Sequence, residues 1–289
     1  MKKIAVIPTL LTLGNSVCGF GSIAYASKIS AGDSSPASDW YFALSGWLIV
    51  GAMVFDALDG YVARLAKTTS DFGMQLDSLC DAVSFGLAPA FLLLRLGPGW
   101  TPIPRLHQAL AVVAALYMVC TLLRLARYNV ETAVDPATGK RFRGLPSPGA
   151  AGCLASLAIL RGNLTDAHVE TLSQQWPFLR PEVLRGTIET WATLGALTIA
   201  LLMVSRIPYP HLTKQILRGR RHFSHLVQVI LFCAGFVLIR ELVLVPIFWL
   251  YALGFPVLYL WARSTRGATP TLPAPAVEEP RPIERRPAG

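Results

Sequence analysis

Four aspartates crowd a stretch that is otherwise apolar: Asp56 and Asp59 in VFDALDGYVAR, then Asp77 and Asp81 in FGMQLDSLCD. A charged side chain inside a membrane span costs about 2.5–3.5 kcal/mol on insertion scales, so carboxylates kept there point to function. On a helix that runs through Arg64, the residues Asp56, Asp59, Gly60, Ala63 and Arg64 recur at i, i+3, i+4, i+7 and i+8, which is one stripe. On the next helix Gly73, Asp77, Asp81 and Ser84 again share a face. The short connection from Leu65 to Asp71 predicts an antiparallel hairpin whose acidic faces oppose each other. Carboxylates gathered in a poorly hydrated site repel one another, and one Arg cannot neutralise four. An all-oxygen ligand set suits Mg²⁺ or Mn²⁺, and the nearby lone Cys80 does not make a zinc site. Gly60, Ala63 and Gly73 let a ligand approach the backbone closely, and Arg64 can bridge phosphate oxygens, so the pattern reads as a diphosphate site. Helix packing through small residues explains the glycines but not the four acids.

The elements that must carry these residues are membrane helices. The 289-residue chain is 53% hydrophobic and 15% charged, with a mean hydropathy of +0.48, whereas ordinary soluble domains carry about 25% charge. Spans of about 20 apolar residues are expected at Pro8–Ala26, Trp40–Asp59, Phe72–Leu96, Ala109–Ala126, Pro148–Leu160, Thr187–Val204, Leu226–Ile239 and Leu242–Trp261, the fifth and seventh being short. The expected fold is an all-α polytopic bundle of about eight spans with both termini cytoplasmic, a count read from that pattern. The N-terminal run also fits a cleavable signal peptide, but Pro8, Thr9, Thr12 and Asn15 favour a retained first helix lining a polar interior. This topology puts 19 of the 26 Lys and Arg inside, so the net charge of +9 reads as orientation rather than nucleic-acid binding. The cysteines at 18, 80, 120, 153 and 233 all lie in apolar stretches and read as buried thiols. Residues 1–263 form the expected membrane domain, and the Pro-rich residues 264–289 a disordered cytoplasmic tail. The segment Gly162–Gly186 reads as an extracytoplasmic loop.

The string from Asp56 to Asp81 fits D-x2-D-G-x2-A-R-x8-G-x3-D-x3-D at every specified position, and so resembles the CDP-alcohol phosphatidyltransferase family. That resemblance implies a metal-dependent transfer in which an alcohol hydroxyl attacks the lipid-side phosphorus of a CDP-lipid and CMP leaves. It further implies that Asp56, Asp59, Asp77 and Asp81 hold two metal ions, and that Gly60, Arg64 and Gly73 contact the CDP part. Asp81 would then be the base; spacing alone does not separate it from Asp77. LLTLGNSVCGF at Leu10–Phe20, RLARYNVET with FRGLPSPGAAG across Arg124–Gly152, and LMVSRIPYP at Leu202–Pro210 resemble the serine-using branch of that family. The implied reaction joins CDP-diacylglycerol and L-serine, in a homodimer embedded in membrane lipid, the inner membrane of a prokaryote, with the site facing the cytoplasm.

Serine also brings a carboxylate, which an Arg fork matches in two-point geometry. Arg127 is the first expectation for that contact, with Arg124, Asn129 and Arg143 behind it. Thr12 and Asn15 are expected to line the nucleotide cavity, or to bond between helices, and Ser70 to touch phosphate or cap the third helix. Glycerol 3-phosphate or an inositol phosphate is the competing acceptor, served by Arg141, Arg143 and the basic run Arg218–Arg221. A divalent-cation transporter would also bury carboxylates in a bundle, but the chain shows no internal repeat and its acids cluster at one end.

Overall fold

The computed structural model describes residues 6–30, 35–66, 71–97, 104–134, 144–164, 181–207, 209 and 243–266. The expected seventh span, Ser70, Arg143, the tail beyond Arg266 and both termini lie outside the described residues. Within them the protein is entirely helical, apart from short connections. The helices are α1 (Val6–Ala26), α2 (Pro36–Ala66), α3 (Asp71–Asp81), a π-helical segment (Ala82–Leu87) leading into α4 (Ala88–Leu96), α5 (Pro104–Val134), α6 (Ser147–Asn163), α7 (Pro181–Val204) and α8 (Leu244–Arg266).

Among the described residues, five helices are long and apolar enough to cross a bilayer: Val6–Ala26, Pro36–Ala63, Phe72–Leu96, Gln108–Glu131 and Val183–Val204, with Leu244–Tyr259 apolar but shorter. α6 has only 17 residues, about 25 Å at 1.5 Å per residue. It is buried along almost its whole length, with Ala150, Ala151, Cys153, Leu154, Ala155 and Ala158 fully covered. Its small residues explain how neighbours close around it. A Cβ on Gly152 would overlap the Phe248 ring, one on Gly149 would press on Tyr251, and one on Gly162 would strike the backbone of α2 at Asp39 and Ala43.

α1 shows the inverted polarity of a lipid-facing helix. Its buried residues are Thr12, Asn15, Gly19, Ser22 and Ala26, at alternating steps of three and four, while Val6, Ile7, Leu10, Leu13, Val17 and Phe20 are exposed. The stripe docks on α2 along one side and on α3, the π segment and α4 along the other.

The π segment has a local cause. Pro89 lacks the N–H that would bond the Phe85 carbonyl, and its ring crowds that carbonyl, so the turn widens. The Ala88 N–H accordingly reaches back five residues to the Val83 carbonyl. The Phe85 carbonyl is not left bare: the fully buried Tyr117 of α5 donates its hydroxyl to it at 3.1 Å. The widened turn starts one residue after Asp81 and rotates Ser84, Phe85 and Gly86 into the core.

The end of the bundle remote from the aspartates is tied by charge. Asp39, at the start of α2, accepts from Arg161 of α6 at 2.5 Å and pairs with Arg185 of α7 at 3.6 Å. Arg161 and Asp39 are both buried, so removing Asp39 takes the shared carboxylate from Arg161 and Arg185 together. Asp39→Leu is expected to cost about 3–5 kcal/mol of stability, read as a lower denaturation midpoint in detergent, and Arg161→Met less, because Arg185 still pairs with Asp39. Equal losses in the two variants would contradict the shared-carboxylate account.

Candidate active site

α2 delivers Asp56 and Asp59 one turn apart near its C-terminal end, and α3 delivers Asp77 and Asp81 one turn apart. One ligand oxygen from each of Asp56, Asp59 and Asp77 falls within 4.8 Å of the others. The expected convergence of the two acidic faces is therefore present. Residues 67–70 of the expected hairpin connection lie outside the described residues, and α1 packs against both α2 and α3 at this junction.

The polar atoms at this junction are incompletely satisfied. Asp59 Oδ2 and Asp77 Oδ1 are buried and accept no hydrogen bond. A buried acceptor without a partner costs about 1–3 kcal/mol, and here two sit in a cluster of like charge. A divalent cation resolves both penalties at once, and hard carboxylate oxygens are the donor set that Mg²⁺ or Mn²⁺ takes. The residues present fit such an ion.

Asp81 stands slightly apart. It is buried, and its Oδ1 accepts from the side-chain amide of Asn15 at 3.0 Å. Ser84, expected on the acidic face, is turned by the π segment toward α1, where its hydroxyl donates to the Asn15 carbonyl at 2.9 Å. Thr12 is buried on the same stripe of α1, placed against the Asp59 carboxylate, and donates to the Pro8 carbonyl at 3.0 Å. Gly60 and Gly73 are half-buried on α2 and α3 beside the cluster, and Arg64 lies one turn beyond Gly60 on α2.

On α5 the arginines separate. Arg127 is about one-third exposed and pairs with Glu131 on its own helix at 2.8 Å. Arg124 is buried, lies within electrostatic range of Asp81 and Asp56, and donates to Ser147 Oγ at 2.5 Å. Arg124 is thus an α5 arginine within electrostatic range of the aspartates, one turn before Arg127. Asn129 donates to Ser78 of α3 at 2.9 Å and ties α5 to the acidic helix.

Ser147, which accepts from Arg124, is a residue that sequence reasoning did not single out, although it lies in the GLPSP stretch. Its position depends on Gly144, whose φ of +87° is a left-handed conformation that favours glycine. The Gly144 and Leu145 amides bond the carbonyls of Ile207 and Leu202 at 2.9 and 3.1 Å. These bonds fasten the start of α6 to the end of α7 and set Ser147 opposite Arg124.

The family model that describes the CDP-alcohol phosphatidyltransferases matches residues 5–204. The chain is also similar to curated proteins named CDP-diacylglycerol–serine O-phosphatidyltransferase. One from Helicobacter pylori is 33% identical over 215 residues, covering 74% of this chain and 76% of that protein. One from Methanocaldococcus jannaschii is 35% identical over 164 residues, 56% of this chain and 62% of that protein. One from Bacillus subtilis is 29% identical over 212 residues, 72% of this chain and 92% of that protein.

Proposed function

Because the chain belongs to the CDP-alcohol phosphatidyltransferase family, we propose that it transfers the phosphatidyl group of CDP-diacylglycerol to the hydroxyl of L-serine, giving phosphatidylserine and CMP. The observation that carries this reading is the meeting of Asp56, Asp59 and Asp77 within 4.8 Å, in a chain whose similar proteins bear that activity in their names.

Asp56, Asp59, Asp77 and Asp81 would hold Mg²⁺ or Mn²⁺, two ions on the family pattern, and metal bound there supplies charge neutralisation for the diphosphate and the departing CMP. Gly60, Gly73 and Arg64 would contact the CDP part, as the family pattern implies. The serine oxygen attacks the phosphorus on the diacylglycerol side, the bond from that phosphorus to the oxygen of CMP breaks, and Asp81 takes the hydroxyl proton. Arg124, buried beside Asp81 and braced by Ser147, is the group best placed for the serine carboxylate. An acceptor held between Arg124 and Asp81 would be oriented at both ends, which lowers the entropic part of the barrier.

The same reading sets the protein in the inner membrane of a prokaryote as about eight spans, with residues 1–263 as the catalytic domain and 264–289 as a tail. Both termini and the acidic cluster then face the cytoplasm, and the enzyme is a homodimer. The excess of Lys and Arg on that side supports the orientation. The position of Asp56 and Asp59 toward the C-terminal end of α2 agrees with it.

Supplying purified protein with CDP-diacylglycerol and isotope-labelled L-serine tests the reaction. Label is expected in the organic-extractable lipid, in amounts equal to the CMP released. Incorporation of labelled glycerol 3-phosphate or an inositol phosphate in place of serine would overturn the acceptor.

A further inference from the structure

The geometry points to Asn15 as the residue that positions Asp81, a role that rests on the phosphatidyltransferase reading above. Asn15 is fully buried in the stripe by which α1 meets the rest of the bundle. Its side-chain nitrogen donates to Asp81 Oδ1 at 3.0 Å, across 66 residues of sequence. An ionised carboxylate only accepts hydrogen bonds, so it is the NH₂ edge of the amide that must face it. The other edge gains nothing, because Asn15 Oδ1 is buried without a partner. A residue present for packing alone would not carry that cost; Gly19 and Ala26 on the same stripe do not.

The backbone of Asn15 is fixed as well as its side chain. Its carbonyl accepts the Ser84 hydroxyl at 2.9 Å, and a Cβ on Gly19, one turn further along α1, would overlap Ser84. Ser84 belongs to the π segment that begins one residue after Asp81. α1 is thereby registered against the turn that carries the aspartate, and the Asn15 amide is aimed from that fixed frame. With Oδ1 engaged, Oδ2 is the oxygen of Asp81 left to receive the serine proton. Asn15 acts through Asp81 and need not touch either substrate, which takes up the between-helix alternative of the two expected from sequence rather than the nucleotide-lining one.

The two roles separate kinetically. CMP release by the full-length protein in detergent, with CDP-diacylglycerol, L-serine and Mn²⁺ or Mg²⁺, is compared for the wild type, Asn15→Leu, Asn15→Ser and Ser84→Ala. Leucine is near-isosteric and has no donor, and a serine hydroxyl in a helix is taken up by the carbonyl one turn back. Both Asn15 variants are expected to lose kcat by on the order of 10- to 100-fold, with the KM for CDP-diacylglycerol within roughly threefold of wild type. Ser84→Ala removes one of the contacts that register α1 but leaves the amide itself in place, so it should lose kcat by much less than either Asn15 variant. A raised KM with unchanged kcat in the Asn15 variants would return Asn15 to the nucleotide and overturn the positioning role. An equal loss of kcat in Ser84→Ala would overturn it too, by making Asn15 a packing residue. If Asn15→Leu does not fold, Asn15→Ser decides alone. A wild type that releases no CMP overturns the reaction itself, an outcome visible before any variant is made.

Discussion

Asp81→Asn is expected to lower kcat by on the order of 10²- to 10⁴-fold, the range in which a positioned general base contributes, while the purified protein melts close to the wild type. The substitution is nearly isosteric, and the new amide oxygen can still accept from Asn15, so the contact at 3.0 Å between α1 and α3 survives. Lost are the negative charge and the capacity to take a proton. Asp56, Asp59 and Asp77 remain gathered, so metal-dependent binding of CDP-diacylglycerol should persist in the variant. Asp59→Asn or Asp77→Asn removes one of these three clustered carboxylates and should raise the metal concentration needed for activity more steeply than Asp81→Asn, which removes the outlying member of the four proposed ligands. Turnover within tenfold of wild type in a folded Asp81→Asn protein would contradict the base assignment.

The second large effect is expected at Arg124. Truncating one partner of a buried, hydrogen-bonded charge pair costs about 2–5 kcal/mol, so Arg124→Met should lower kcat/KM for L-serine by on the order of 10²- to 10³-fold. Arg124→Lys should recover little of it, because a single ammonium cannot bridge Ser147 and a carboxylate as a planar fork does. Arg127 supplies the control, since it already pairs with Glu131 and is about one-third exposed. Surface pairs of that kind contribute about 0–1 kcal/mol, so Arg127→Met should change the serine KM by no more than about fivefold. The reverse pattern, with serine affinity lost at Arg127 and spared at Arg124, would move the acceptor site to the outer face of α5.

The aspartates at 56, 59, 77 and 81 stood out because a carboxylate is so costly in an apolar stretch, which points to function. The helices were legible for the same reason of contrast, and the short α6 could be marked because Ala and Gly runs are as apolar as a lipid-facing helix needs to be. How the helices meet was less visible. α1 packs on both α2 and α3, a tertiary arrangement that no local pattern encodes. Pro89 signalled a disturbance, but the π segment also depends on Tyr117, 32 residues from the carbonyl it satisfies.

The arginines show the limit most clearly. Arg124 and Arg127 are one turn apart and both flanked by apolar residues, so periodicity could not tell which one turns inward. Ser147, the partner that marks the inward one, is held by a left-handed glycine and two amide bonds to the end of α7. Asn15 was noticed as a polar residue in a span, yet its partner Asp81 is fixed by the tertiary registry of Ser84 against α1.

The most direct test of the central claim is CMP release by detergent-purified protein given CDP-diacylglycerol, with and without L-serine, and with Mg²⁺ or Mn²⁺ or with EDTA. Release that requires both the metal and L-serine is the predicted result, because the acidic cluster needs a cation and the transfer needs an acceptor hydroxyl. Release by well-folded protein that is indifferent to EDTA, or that proceeds equally without serine, would contradict the account.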